Sequence, residues 1–284
     1  MTRVSSRLVL HHSRQFSLLL FFLCALALQP FLAKPANAQD SPVLNLDVPF
    51  VPTPNDVVNE MLRVADVGPD DALIDLGSGD GRIAIAAVRD FGAKSALGVD
   101  LNPDRVSEAR AKAEHAGVTD RVRFEVQNLF ETDLSEATVI SMYLLPRVNL
   151  ELRPRLLDLQ PGTRLVSHAF SMGEWEPDTF LDVEGRDVYF WVVPAKVDGE
   201  WLFTTREGDF TAQLSQNFQK LTGSAVDENN NSMHLTGQLH GDIVTLNIST
   251  AGGTPQRYIG KVQDGTIIAM ADDDAPLGWQ ATKR

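Results

Sequence analysis

The segment Ile74-Asp-Leu-Gly-Ser-Gly-Asp-Gly-Arg82 gathers glycines and carboxylates at a density that suits a ligand. Gly77, Gly79 and Gly81 let the backbone turn sharply and let a ligand approach with no Cβ in the way. The spacing is G-x-G-x-G, not the G-x-G-x-x-G of the dinucleotide turn. Asp75 and Asp80 flank Ser78, and the turn holds no lysine, so a pyrophosphate is a poor guest and a cationic ligand a good one. A further acid, Asp100, closes Leu97-Gly-Val-Asp-Leu101 and is placed to accept ribose hydroxyls. Gln127-Asn128-Leu129 offers side-chain amides for an adenine edge. Two of these residues have a plainer reading: Asp80 as a helix cap and Asn128 as a turn former.

These residues need a scaffold, and the surrounding pattern supplies one. Ala72–Leu76 is a short apolar run, a buried strand leading into the turn, and 82–91 continues as an apolar helix. A strand at 95–101, a helix from Pro103 to a Gly117 stop, and strands at 122–126, 137–145 and 163–169 follow, with a helix at 150–159. A helix at 56–67, capped by Thr53 or Asn55 and stopped at Gly68-Pro69, precedes them. Alternation of strand and helix with short links predicts a Rossmann-like, doubly wound, mostly parallel α/β sheet. Segments 179–184 and 187–193 predict a hairpin at its edge, turning at Gly185. After Pro194 helical periodicity gives way to short alternating runs, read as a small antiparallel sheet or open barrel over 195–284, with Trp201 and Trp279 in its core. The expected domains are therefore 39–194 and 195–284.

The first 38 residues stand apart. Arg3, Arg7 and Arg14 precede a nearly unbroken apolar run, 16–28, and Ala36-Asn-Ala38 offers small residues for cleavage. The run is short for a membrane span, so it reads as a cleaved signal peptide that exports the chain to a periplasm or secretes it. The alternative is an uncleaved anchor facing outward, the only membrane contact expected. The single cysteine, Cys24, lies in this run, so the mature chain has no thiolate nucleophile, disulfide or thiolate metal site. The formal charge of the 284-residue chain is −13, against non-specific nucleic-acid binding and in favour of a basic partner. His115 reads as solvated, and His168, inside a buried strand, as a satisfied core residue in preference to a catalyst. His234 and His240 have no ligand partners in view, and no metal is expected.

The nucleoside that best fits an acidic, lysine-free glycine turn is S-adenosylmethionine, whose sulfonium and ammonium are both cationic. Asp75–Arg82 with Asp100 resembles the first two motifs of class I methyltransferases. Phe50-Val-Pro-Thr-Pro54, Asp75-Leu-Gly-Ser-Gly-Asp-Gly-Arg-Ile83, Tyr143-Leu-Leu-Pro146, Leu152-Arg-Pro154 and Pro161-Gly-Thr-Arg-Leu-Val-Ser167 together resemble the FAM173-type, DOT1-related lysine methyltransferases over 48–178. That resemblance implies methyl transfer from S-adenosylmethionine to a protein lysine. Asp75, Gly77, Ser78, Gly79, Asp80, Gly81, Asp100, Leu101 and Asn128 are the cofactor candidates. Tyr143, Pro146 and Phe50 are the catalytic-pocket candidates, with Trp175 on the rim. No acid accompanies Tyr143–Pro146 to act as a base. The competing reading is an exported, non-catalytic binding module that keeps the fold and uses its β domain for interaction.

Overall fold

The computed structural model describes residues 50–250, 253–271 and 275–284. The expected signal peptide lies outside the described residues. The α/β part contains helices α1 (Asn55–Val64), α2 (Arg82–Arg89), α3 (Pro103–Ala116) and α4 (Pro146–Leu157). Its strands are β1 (Ala72–Leu76), β2 (Ser95–Asp100), β3 (Val122–Val126), β4 (Val139–Met142), β5 (Arg164–His168), β6 (Thr179–Asp182) and β7 (Asp187–Val192). They form one sheet in the order β3-β2-β1-β4-β5-β7-β6. The first five neighbours run parallel, and β7 and β6 close the edge antiparallel. One apolar layer packs α1, α2 and α3 on one face, with Met61, Ala87 and Val106 fully covered. On the other face α4 packs through Leu152 and Leu156 beside Trp175 and Trp191. Because β1 pairs with β2 on one side and β4 on the other, the strand order reverses at β1, and a crevice opens at the carboxyl ends of these strands.

Element boundaries depart from expectation where prolines sit. α4 starts at Pro146, not Leu150, because proline at the first helical position forfeits only an N–H that has no intrahelical partner. Pro154 is accommodated inside the same helix. α1 is capped by Pro54 with no side-chain bond, correcting the expected Thr53 or Asn55 cap, and it ends at Val64, before Gly68. Thr53 is engaged elsewhere, its Oγ1 lying 3.1 Å from His168 Nδ1.

Beyond Pro194 the chain forms β8 (Gly199–Thr205), β9 (Gly208–Asn217), β10 (Lys220–Asp227), β11 (Ser232–His240), β12 (Ile243–Thr250), β13 (Gln256–Gln263), β14 (Thr266–Ala269) and β15 (Gln280–Lys283). This is a closed barrel, not an open one, because β15 returns to pair with β8, Ala281 opposite Phe203. Its interior is filled by alternate residues, among them Trp201, Phe203, Leu214, Leu235 and Leu246. Phe203 stacks on Phe210 at 4.7 Å and on Trp279 at 5.7 Å. The barrel abuts the amino-terminal end of β5, the end of the sheet remote from the crevice. There the Ala195 N–H donates to the Gly241 carbonyl, and Gly241 lies against Gly162, which precedes β5. Phe218 stacks on Trp175 at 6.0 Å, placing Trp175 in this junction and not on the rim of the crevice. Trp175 is fully buried there.

Candidate functional site

The glycine turn between β1 and α2 lies at the mouth of the crevice. Gly77, Gly79 and Gly81 all have positive φ, at 74°, 52° and 79°. The turn is pinned to β2, since the N–H groups of Gly77 and Ser78 both donate to the Val99 carbonyl at 2.9 Å. The glycines differ in what they leave room for. A Cβ on Gly79 would meet the Phe50 ring at 2.4 Å, and one on Gly77 would meet Leu144 at 2.8 Å, so both face the crevice walls. A Cβ on Gly81 would instead strike Phe124 at 2.5 Å and Ala109 at 2.8 Å. Gly81 does not line the crevice; it lets α2 and α3 approach, which corrects its place among the cofactor candidates. Gly81→Ala is expected to cost roughly 2–5 kcal/mol of stability, combining a left-handed alanine with an overpacked contact. Urea denaturation measures this, and a loss under 1 kcal/mol would show that the α2–α3 contact yields.

The crevice is lined by Asp75, Ser78, Asp80, Asp100, Leu101 and Asn128 together with Phe50 and Tyr143. Asp75 is 2% exposed, and its Oδ1 accepts a 2.7 Å bond from the Ser141 hydroxyl. Burial, with the neighbouring carboxylates Asp100 and Asp80 adding to it and Ser141 working against it, pushes its pKa up to about 7. Asp80 behaves oppositely. Burial alone would raise it, but hydrogen bonds from Arg82 and Lys112 outweigh that and hold it down at about 2. Both cations lie 2.6 Å from its Oδ2. Asp80 is therefore an anchor for α2 and α3, and its bond to the Arg82 N–H, at 3.4 Å, is a weak cap. Asp100 accepts from the Gly79 N–H at 2.9 Å and the Asn102 N–H at 2.8 Å, tying β2 to the turn. Asn128 caps the short 3-10 turn Leu129–Glu131 through Phe130 N at 3.1 Å while lining the crevice. Pro146 lies outside the crevice as the first residue of α4.

Several participants gave no signal in the sequence. Arg82 donates to the Thr53 carbonyl at 2.7 Å, fastening the Phe50–Pro54 strap over the turn. Arg105 lies 4.6 Å above the Phe50 ring. Ser141 belongs to β4 and reaches Asp75 only through strand pairing. Contacts separated by tens of residues have no local pattern that would announce them.

Among buried polar atoms, the Ser78 hydroxyl has no hydrogen-bond partner, although Ser78 lines the crevice. An orphan hydroxyl of this kind calls for a ligand to satisfy it. Gly77 and Gly79 let Leu144 and Phe50 pack close to the turn as crevice walls, and the unpartnered hydroxyl between them fits a small polar cofactor.

The comparisons with known proteins converge on one chemistry. The ANTKMT methyltransferase domain profile matches residues 75–179. A protein-lysine N-methyltransferase of Saccharolobus islandicus is 48% identical over 151 residues, 51% of this chain and 94% of the relative. The adenine nucleotide translocase lysine N-methyltransferase of Mus musculus is 35% identical, but the chain spans only 62% of its length, and the match covers 51% of this chain. Among solved structures, an RNA methyltransferase from Salinibacter ruber in complex with S-adenosyl-L-homocysteine is 53% identical, with a TM-score of 0.51 over 52% of this chain and 96% of that one.

Proposed function

We propose, from the premise that this chain belongs to the protein-lysine N-methyltransferases, that it methylates the ε-amine of a lysine in a protein target. It is an S-adenosylmethionine-dependent methyltransferase. The observation that carries the reading is the crevice at the carboxyl ends of β1, β2 and β4, where the glycine turn, the orphan Ser78 hydroxyl and Asp100 meet. When bound, the cofactor would supply an electrophilic methyl on its sulfonium to a neutral lysine amine, and Asp75, Ser78 and Asp100 would be the residues that hold it. The chain's own residues bind and orient. Asp100 has acceptor capacity left for ribose hydroxyls, since a carboxylate offers about four lone-pair sites and two are used here. Gln127 and Asn128 line the crevice and would meet the adenine edge. Asp75 is the carboxylate placed to charge against a cation, and the Phe50 ring, lying against Gly79, would shield that part of the turn once the cofactor is bound.

A lysine target is favoured over RNA by charge. The relative from Salinibacter ruber is an RNA methyltransferase, but the formal charge of −13 here offers no counterion release along a phosphate backbone. The same acidity suits a lysine-rich partner. The basic start, apolar run and Ala36-Asn-Ala38 support export, so the target is expected among exported or envelope proteins, with an outward-facing anchor as the alternative.

The test is calorimetry with S-adenosylmethionine, followed by incubation of the full chain with the methyl-labelled cofactor and an envelope-protein extract. Saturable binding and acid-stable label on lysine, located by mass spectrometry, are expected. Absence of binding at millimolar cofactor, or label confined to RNA, would reject the reading.

A further inference from the structure

A second cavity lies beside the crevice, on the far side of Tyr143. Its walls include Val51, Pro52, Tyr143, His168, Arg186 and Asp187. Val51, Pro52 and Tyr143 line both cavities, so only the strap and one phenol ring divide them. The second cavity sits where β4 and β5 end and β7 begins, on the crevice side of the sheet.

Its walls and its mouth differ in chemistry. Tyr143 packs against His168 with ring centroids 4.0 Å apart, and Phe170 backs Tyr143 at 6.1 Å, so the wall presents aromatic ring surface. Such faces suit a chain of methylenes ending in an amine. His168 adds no charge to this wall: burial first, then the Arg186 guanidinium, hold its pKa down at about 4, against the opposing pull of Asp187 and Asp56. Arg186 and Asp187 set opposite charges side by side at the hairpin end. Asp187 accepts a bond from the Tyr189 hydroxyl at 3.0 Å and keeps acceptor capacity for a cation. Its carbonyl accepts from the Ala169 N–H at 2.7 Å. Ala169 adopts φ 65°, a left-handed conformation costly for alanine, in the residue that seats β7 against the cavity.

We infer that this second cavity is the channel through which the target lysine side chain reaches the cofactor, with Tyr143 and His168 as its walls and Asp187 as the acid that selects a cationic side chain. The inference rests on the lysine-methyltransferase reading above. It makes Arg186 an opposing charge: the pair at the mouth sets how strongly an amine is preferred.

The probe is an S-adenosylhomocysteine analogue in which nitrogen replaces sulfur and carries, through two carbons, the ε-nitrogen of a lysine. The control carries only an ethyl group. Calorimetry on the full chain is expected to show the lysine-bearing analogue binding at least tenfold tighter than the ethyl one. Asp187→Lys should erase that gain, and Arg186→Glu, at an exposed position, should enlarge it severalfold. Both variants should bind S-adenosylhomocysteine within about twofold of the parent. A lysine gain that persists unchanged in both variants would overturn the channel and leave the lysine reading standing. No gain in the parent protein would overturn the lysine reading itself, and the channel with it.

Discussion

Asp100→Ala should weaken S-adenosylmethionine binding by at least a hundredfold in calorimetry while the protein stays folded. The carboxylate already accepts from Gly79 and Asn102 N–H groups, so it is held rigidly at the end of β2 with its remaining lone pairs toward the crevice. Two charge-assisted bonds to ribose hydroxyls contribute about 1.5–3 kcal/mol each, and even the lower figure for both amounts to roughly a 150-fold change. Loss of the tie to Gly79 would add to this by loosening the turn. Stability should suffer less, because two N–H groups at a half-exposed crevice mouth can turn to water. Unchanged cofactor affinity would show that the ribose lies elsewhere.

Asp75→Asn is expected to make the cofactor-free protein more stable at pH 8 and no more stable at pH 4. The unfolded carboxyl ionises near 3.8 and the folded one at about 7. Between these values the folded state holds a proton that the unfolded state has released, so this group's contribution is complete below about pH 4 and is lost as pH rises through 7. The full difference is on the order of 4 kcal/mol, and asparagine, which does not ionise, escapes it while still accepting from Ser141. Urea midpoints across pH 4–8 measure the effect, and parallel curves for the two proteins would refute it. The same titration couples to function. A cationic ligand pulls Asp75 toward its ionised form, so cofactor affinity should climb between pH 6 and 8 with proton release in the parent, and stay level in the variant. A destabilising acid beneath a binding site is a cost that its ligand offsets.

The order of strands and helices was legible because each announces itself locally. Ala72–Leu76 is continuous apolar sequence bounded by turn residues, and Pro103 with Gly117 brackets α3 at both ends. The glycine turn was legible because three glycines between a strand and a helix have few other uses. Its division of labour was not. That Gly79 faces Phe50 while Gly81 faces Phe124 depends on which helices cross where, and that Asp80 is occupied by Lys112 depends on a residue on another helix. Prolines account for two boundary differences. Pro146 starts α4 four residues before the expected Leu150, and Pro54 takes the place of the expected polar cap. The closed barrel was out of reach because closure is a single long-range pairing between weakly patterned strands. His168 was read as core, and it is buried, yet its neighbours place it against a cavity that no residue spacing could reveal.

The pairing of β8 with β15 bears on how the C-terminal half assembles. Trp201 stands opposite Lys283, at nearly the full length of the barrel segment, while the pairs β8–β9, β9–β10, β11–β12 and β13–β14 are joined by short turns. Hairpins can zip up one after another at small entropic expense, but the final seam must bring together two distant stretches at once. That seam involves the four residues of β15, as short as β14, so the pairing that closes the ring is also among its shortest. Once locked, it presents no free edge to a neighbouring chain, which leaves β3 and β6 of the other sheet as the borders at which a foreign strand could add.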